Sequence, residues 1–217
     1  MGYRYDDLSP DEVYHVFSRG VEKRKIFLDH TDRQRFLSLL IYCLPRGPSR
    51  GFAVSKRCKT ENKLTAEGNG LVDLLCYCLM DNHIHLLIRE NIEGGTSLYM
   101  QRLLTSYSRY FNVRRDRSGS LFIHPFKAVL VEQDKQLLHV SRYIHLNPYV
   151  ARMVEGIYEF EWSSLGEYAS INCKRTCHRA LINDIMSMRE YRSFVEDEAG
   201  YARSITDLEH LLIDNGD

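Results

Sequence analysis

Two apolar runs, Leu74-Leu75-Cys76-Tyr77-Cys78-Leu79 and Leu86-Leu87-Ile88, are separated only by Met80-Asp81-Asn82 and the tripeptide His83-Ile84-His85, and no other stretch constrains the fold as much. Branched and aromatic residues interrupted by a turn-like Asp-Asn pair predict two β-strands joined by a tight connection. Residues two apart in a strand share a face, so both imidazoles point one way with Ile84 behind them. Metal ligands are presented in this manner, but so are pairs of half-exposed polar residues. The tripeptide alone fits a cupin, a metal-dependent hydrolase or no site at all, so the decision needs a partner elsewhere in the chain.

Composition narrows the classes. The 217 residues, 44% hydrophobic, suit one sizeable globular domain with an appendage. No apolar stretch approaches the roughly 20 residues of a membrane span, and the polar opening Met1-Gly2-Tyr3-Arg4-Tyr5-Asp6 does not read as a signal peptide, so a cytoplasmic protein is expected. The six cysteines are too close (Cys76, Cys78) or too unrelated in context (Cys43, Cys58) to suggest a disulfide framework, and are expected to be reduced core thiols. Cys173, Cys177 and His178 would make half a zinc site, but no second matching pair accompanies them.

The formal net charge of zero conceals an asymmetry. Residues 181–217 hold three of the 29 basic and nine of the 29 acidic residues, which leaves 26 basic against 20 acidic in the first 180. Clusters at Arg19, Lys23, Arg24 and Lys25, at Arg46, Arg50, Lys56, Arg57 and Lys59, and at Arg109, Arg114, Arg115 and Arg117 suit a phosphate backbone. Each can equally be a solvated face.

Along the chain, Val13–Ser18 reads as a first strand, followed by a helix from Asp32 to Cys43 with Thr31 as N-cap and Gln34 completing a capping box. Pro45, Gly47 and Pro48 end it, and the polar, basic residues 46–70 look like a long loop or insertion that holds a strand at Phe52–Ser55. After the histidine hairpin, Thr96 is expected to cap a helix to Val113 whose stripe of Leu103, Tyr107, Tyr110 and Phe111 reads as core. Short strands follow at Leu121–Phe126 and Ala128–Val131, then a helix from Asp134 to Leu146 stopped by Pro148. From Arg179 to Gly200 the spacing predicts one or two amphipathic helices, with another over Ile205–Ile213.

The helix before Pro148 supplies the missing partner. Tyr143 and Asn147 stand four residues apart, hence one turn apart on one helix face, which can set a hydroxyl nucleophile beside an amide ligand. In a chain with 14 tyrosines the spacing alone decides nothing. The segments Leu79-Met80-Asp81-Asn82-His83-Ile84-His85-Leu86-Leu87-Ile88 and Arg142-Tyr143-Ile144-His145-Leu146-Asn147-Pro148 together resemble the single-tyrosine HUH transposases. The nearest branch is the REP-associated tyrosine transposases, relatives of the smallest insertion-sequence transposases. Tyr14-His15-Val16-Phe17-Ser18-Arg19-Gly20, Tyr110-Phe111-Asn112, Phe126-Lys127-Ala128 and Glu161-Trp162-Ser163-Ser164 extend the resemblance over residues 10–170. Asp81 stands where the family often carries proline, and the stretch 46–70 is longer than usual.

The resemblance implies a ferredoxin-like or RRM-like α+β sandwich, an antiparallel sheet covered by helices, over residues 1–170 with an insertion at about 46–70. Residues 171–217 would form a helical C-terminal extension that packs on the body, makes a homodimer or helps read a hairpin. It implies His83, His85 and Asn147 as ligands of Mg²⁺ or Mn²⁺, and Tyr143 as the nucleophile that cuts single-stranded DNA near a hairpin. The product would be a 5′-phosphotyrosine and a free 3′-hydroxyl, so the bond energy is kept for rejoining. The absence of a Walker-type phosphate loop agrees with that economy. Arg19, Arg109, Arg114, Arg115 and Lys127 are the candidate DNA contacts. His145 is a poor candidate for the base that deprotonates the phenol, because two residues along a helix it points elsewhere. Two alternatives stay open: a descendant that binds structured DNA without cutting it, and an unrelated hydrolase in which His83 and His85 hold a metal-activated water.

Overall fold

The computed structural model describes residues 8–47, 70–171 and 176–214, with side chains to Tyr201. Its core is a four-stranded antiparallel sheet of β1 (Val13–Arg19), β2 (Val72–Leu79), β3 (His83–Glu90) and β4 (Lys127–Val131) in the order β2-β3-β1-β4. With α1 (His30–Tyr42) after β1 and α2 (Gly95–Arg114) after β3, the order βαββαβ is that of a ferredoxin-like α+β sandwich. The helices α3 (Asp134–Val150), α4 (Leu165–Tyr168), α5 (Ala180–Ile185) and α6 (Met188–Asp214) follow. The expected strand at Phe52–Ser55, most of the 46–70 stretch and Cys173 lie outside the described residues.

Alternation along β1 and β3 sorts the two faces. Tyr14, Val16, Ile84, Leu86 and Ile88 are buried on the face that α1 and α2 cover, while His15, Phe17, Arg19, His83 and His85 share the other face. On that second face α3 lies over β2 and β3, so β2 is covered on both sides and all eight of its residues are buried. The outer edge of β2 is closed by residues 162–164: Leu79 N–H donates to the Trp162 carbonyl and Ser164 N–H to that of Tyr77. The other edge, the five-residue β4, begins with an exposed lysine, a residue type that discourages edge-to-edge pairing.

Tyrosines are the largest fully buried side chains of the core. Tyr99, Tyr107 and Tyr168 are fully buried, and their hydroxyls donate to the carbonyls of Leu40, Ile26 and Leu75. Leu103, Tyr107 and Phe111 form the expected core stripe of α2, with Tyr110 at its margin bonding Asp32. Cys43, Cys76, Cys78 and Cys177 are free and buried. Burial pushes the Cys43 thiol up to about 12, and Cys76 and Cys78 higher still, so they behave as small apolar residues.

Several boundaries differ from the sequence expectation. Asp29, not Thr31, caps α1 by accepting from Asp32 N–H at 3.0 Å, and the Asp32 carboxylate returns to Leu28 N–H at 3.0 Å. Thr96 lies inside α2; its N–H is capped by the Glu90 carboxylate, and the chain enters through Gly94 at φ 69°. The neighbouring Gly95 is required, since a Cβ there would sit 2.3 Å from the Leu71 carbonyl oxygen. Leu121–Phe126 is not a strand: only Phe122 makes an isolated bridge, to Gly20. Pro148 does not stop α3, which runs on to Val150; the proline forfeits one helical N–H and is itself buried.

The C-terminal helices pack on the body. Tyr191, Val195 and Ala199 of α6 are buried, and the Arg142 guanidinium of α3 lies 3.9 Å from the Phe194 ring centroid and pairs with Glu198 at 3.0 Å. The two expected helices over 188–214 are one helix, separated from α5 at Met186–Ser187. Among the described residues no helix is long and apolar enough to cross a membrane.

Candidate active site

The histidine hairpin is held rigidly at its turn. The loop after β1 wraps it: Ile26 and Phe27 N–H donate to the Asp81 carbonyl, and Gly20 N–H to that of Asn82 at 2.8 Å. The Asp81 side chain pairs with Lys25 at 2.9 Å and with Arg33. Two cations thus fix the turn through its side chain. Asn82 donates from Nδ2 to the Lys23 carbonyl at 3.2 Å, which turns its Oδ1 onto His83 Nδ1 at 2.6 Å.

His83 and His85 then project from one face of β3 with ring centroids 4.9 Å apart. The face of α3 that carries Tyr143 and Asn147 comes down beside them. Asn147 Nδ2 is 3.4 Å from His85 Nε2, and the Tyr143 ring stands edge-on to His85 at 5.7 Å between centroids. Unlike the core tyrosines, Tyr143 is 54% exposed. The four residues singled out in the sequence therefore converge, although 58 to 64 positions separate the histidines from the helix pair.

The electrostatics suit ligation. Burial first, and the nearby Arg19 second, lower the His83 imidazole to about 4, and burial together with His15, His83 and Arg19 takes His85 further down. Both rings are neutral at pH 7 and can offer a nitrogen lone pair. Among the described residues no three His, Cys, Asp or Glu gather as a metal site, so a cation here depends on the Asn147 amide beside the two imidazoles. Two neutral nitrogens and an amide oxygen form a mixed donor set of the kind Mn²⁺ accepts, and Mg²⁺ less readily. The residues present fit such a cation.

Two residues that the sequence reading left without a role belong to the site. His15 Nε2 lies 2.9 Å from His85 Nδ1, with the rings stacked at 5.1 Å, and the Tyr143 ring is 6.0 Å from the His15 ring. Asn82 supports His83 in the same manner. The period-two run His15-x-Phe17-x-Arg19 was the available signal, since it places all three side chains on one strand face.

The candidate DNA contacts divide. Arg19 is opposite His83 across β1 and β3, and Lys127 is opposite Phe17, which itself faces His85, so both exposed cations lie on the face of the histidines. Arg109 and Arg114 belong to α2 and Arg115 is its C-cap, on the far face of the sheet. Arg114 and Arg115 close a cluster with Asp29 and the fully buried Asp32 at 2.6–3.0 Å. These ion pairs hold the two guanidiniums against carboxylates of the α1 N-terminus. His145 is fully buried, bonded to Tyr191 and Ser164, and turned away from Tyr143.

Residues 53–147, a little under half of the chain, match the family model for IS200-like transposases. The family resemblance read in the sequence holds. No curated protein matches the chain in sequence. A solved structure of a REP-associated tyrosine transposase bound to a REP hairpin superposes with a TM-score of 0.55 over 82% of this chain and 90% of that one, at 12% identity. At that identity the likeness is one of fold.

Proposed function

We propose that this transposase-like protein is a metal-dependent single-strand DNA endonuclease and strand transferase that acts beside a DNA hairpin through Tyr143. The observation that carries the reading is the exposed Tyr143 ring edge-on to His85, one helical turn from an Asn147 amide that itself reaches His85. His83, His85 and Asn147 would hold Mg²⁺ or Mn²⁺, which when bound polarises the scissile phosphate and offsets its growing negative charge. Tyr143 Oη attacks phosphorus, the bond to the 3′ oxygen breaks, and that oxygen takes up a proton as the phenol proton is lost. A second 3′-hydroxyl attacking the phosphotyrosine reverses the step and joins strands.

The single strand lies along the half of the sheet that α3 leaves open. Arg19 and Lys127 hold its phosphates there, and Phe17 between them offers a ring to an unstacked base. The acidic α6 packs on α3 and does not approach the backbone directly. A cytoplasmic location goes with this reading.

The test is covalent capture. The protein is incubated with labelled single-stranded hairpins from the flanks of its own gene and Mn²⁺ or Mg²⁺, alongside Tyr143→Phe and His83→Ala. A denaturant-resistant protein–DNA band from the native chain alone, abolished by chelator, is the expected result. Cleavage that survives Tyr143→Phe would refute the mechanism in favour of a metal-activated water. Hairpin binding with no band under either metal would leave a DNA-binding protein without strand transfer.

A further inference from the structure

We propose that His15 is a positioning residue for the metal site: it accepts the proton of His85 Nδ1 and so keeps His85 Nε2 bare toward the cation. The inference rests on the reading of His83, His85 and Asn147 as ligands, but its evidence is the hydrogen-bond directions around them.

An imidazole offers a lone pair only from the nitrogen that lacks hydrogen, so the tautomer decides whether a histidine can ligate. At His83 the choice is fixed by Asn82. Its Nδ2 donates to the Lys23 carbonyl, so the atom 2.6 Å from His83 Nδ1 is an oxygen that can only accept. The proton is therefore on Nδ1, and Nε2 is free. At His85 the atom 2.9 Å from Nδ1 is His15 Nε2. Ligation through Nε2 requires the proton on Nδ1, and His15 Nε2 can then only accept it; Asn147 Nδ2, 3.4 Å from His85 Nε2, agrees with a bare Nε2 in the metal-free site, and the amide would turn its oxygen to a cation. The reverse arrangement, with His15 Nε2–H donating, would put a hydrogen on His85 Nε2 and block coordination.

The fold holds this relay in place. His15 lies opposite Leu87 on β1, one step diagonal from His85, a cross-strand separation that long and aromatic side chains bridge. Its ring is stacked on His85 at an interplanar angle of 22° and flanked by Phe17 at 5.2 Å, so it cannot turn away without breaking both contacts. Ligating histidines generally bond their second nitrogen to a carboxylate, carbonyl or water; here a neutral imidazole takes that place for one ligand and an amide for the other.

The experiment uses the full chain and its His15→Phe and His15→Gln variants. Long-range ¹H–¹⁵N correlation on the metal-free protein reads the His85 tautomer, and titration of free Mn²⁺ by its paramagnetic resonance reads affinity. Thermal unfolding confirms that each variant folds. The expected result is Nδ1–H at His85 in the native chain and loss of that preference in His15→Phe, with Mn²⁺ binding weakened about 10- to 100-fold. His15→Gln, whose Oε1 can accept, restores the tautomer and most of the affinity. The proposal is overturned if native His85 carries its proton on Nε2, or if His15→Phe leaves both readouts unchanged. If the tautomer follows the variants as expected but the native chain takes up no Mn²⁺, the role of His15 stands and it is the metal assignment that fails.

Discussion

Removing one buried oxygen should loosen the helix that carries Tyr143. The Tyr191 hydroxyl of α6 is 2.8 Å from His145 Nδ1 and donates to Ser141 Oγ at 2.9 Å, and Ser141 passes the chain on to the Leu138 carbonyl at 2.8 Å. On the other side His145 Nε2 meets Ser164 Oγ at 2.7 Å, and Ser164 also accepts from Tyr77 N–H on β2. Because Tyr191 donates onward to Ser141, it accepts from His145 Nδ1–H; the network has one direction and ties α6, α3 and the sheet together. Tyr191→Phe leaves no cavity of consequence, yet it orphans His145 Nδ1 at a site where Tyr191, His145 and Ser141 are all 0–1% exposed. An unsatisfied buried group costs about 1–3 kcal/mol and the bond lost at Ser141 about 1 more, so the substitution is expected to destabilise by about 2–4 kcal/mol. Moving the His145 proton to Nε2 gives no escape, since it leaves a buried lone pair at Nδ1 instead. Urea unfolding measures the loss, with Tyr158→Phe as the control because its hydroxyl bonds Glu196 at the surface and should cost under about 0.5 kcal/mol. Amide exchange across Tyr143–Asn147 should quicken in Tyr191→Phe alone. Equal cost for the two variants would refute the claim that the C-terminal helix holds the tyrosine helix through this network.

Two further predictions follow from the charges. Burial lowers His145 to about 3 and His15 to about 4, so the unfolded chain binds more protons than the native one below about pH 6.5. Stability is therefore full above that pH and falls on acidification, by up to about 1.4 kcal/mol per pH unit for fully buried His145; a stability that is flat or rising from pH 6.5 to 4.5 in urea titrations would contradict this. Arg19→Ala and Lys127→Ala are each expected to weaken hairpin binding and to lower the salt slope by about one. Arg114→Ala and Arg115→Ala should leave the slope unchanged and instead lower the urea midpoint, because each removes one of the ion pairs to the buried Asp32. A salt slope altered by the α2 arginines would return them to the DNA interface.

Local periodicity made much of this legible in advance. A period of two puts His83 and His85 on one strand face, and a period of 3.6 puts Tyr143 and Asn147 on one helix face, whatever the rest of the chain does. The apolar runs announced β2, β3 and the core stripe of α2 for the same reason. Helix ends were less legible because several residues of the right type compete: Asp29 and Thr31 are both good caps, and the choice went to the one whose partner Asp32 is itself held by arginines from α2. Only the tertiary structure decided which charges and rings meet. His15 reaches His85 across 70 residues, and Arg114 and Arg115 reach Asp29 and Asp32 across more than 80, so one histidine meets the candidate site and two arginines are tied to carboxylates on the other side of the sheet. A sequence fixes the direction in which a side chain leaves its own strand or helix; the partner it finds depends on which elements pack together, and that is set by burying the whole apolar surface at once.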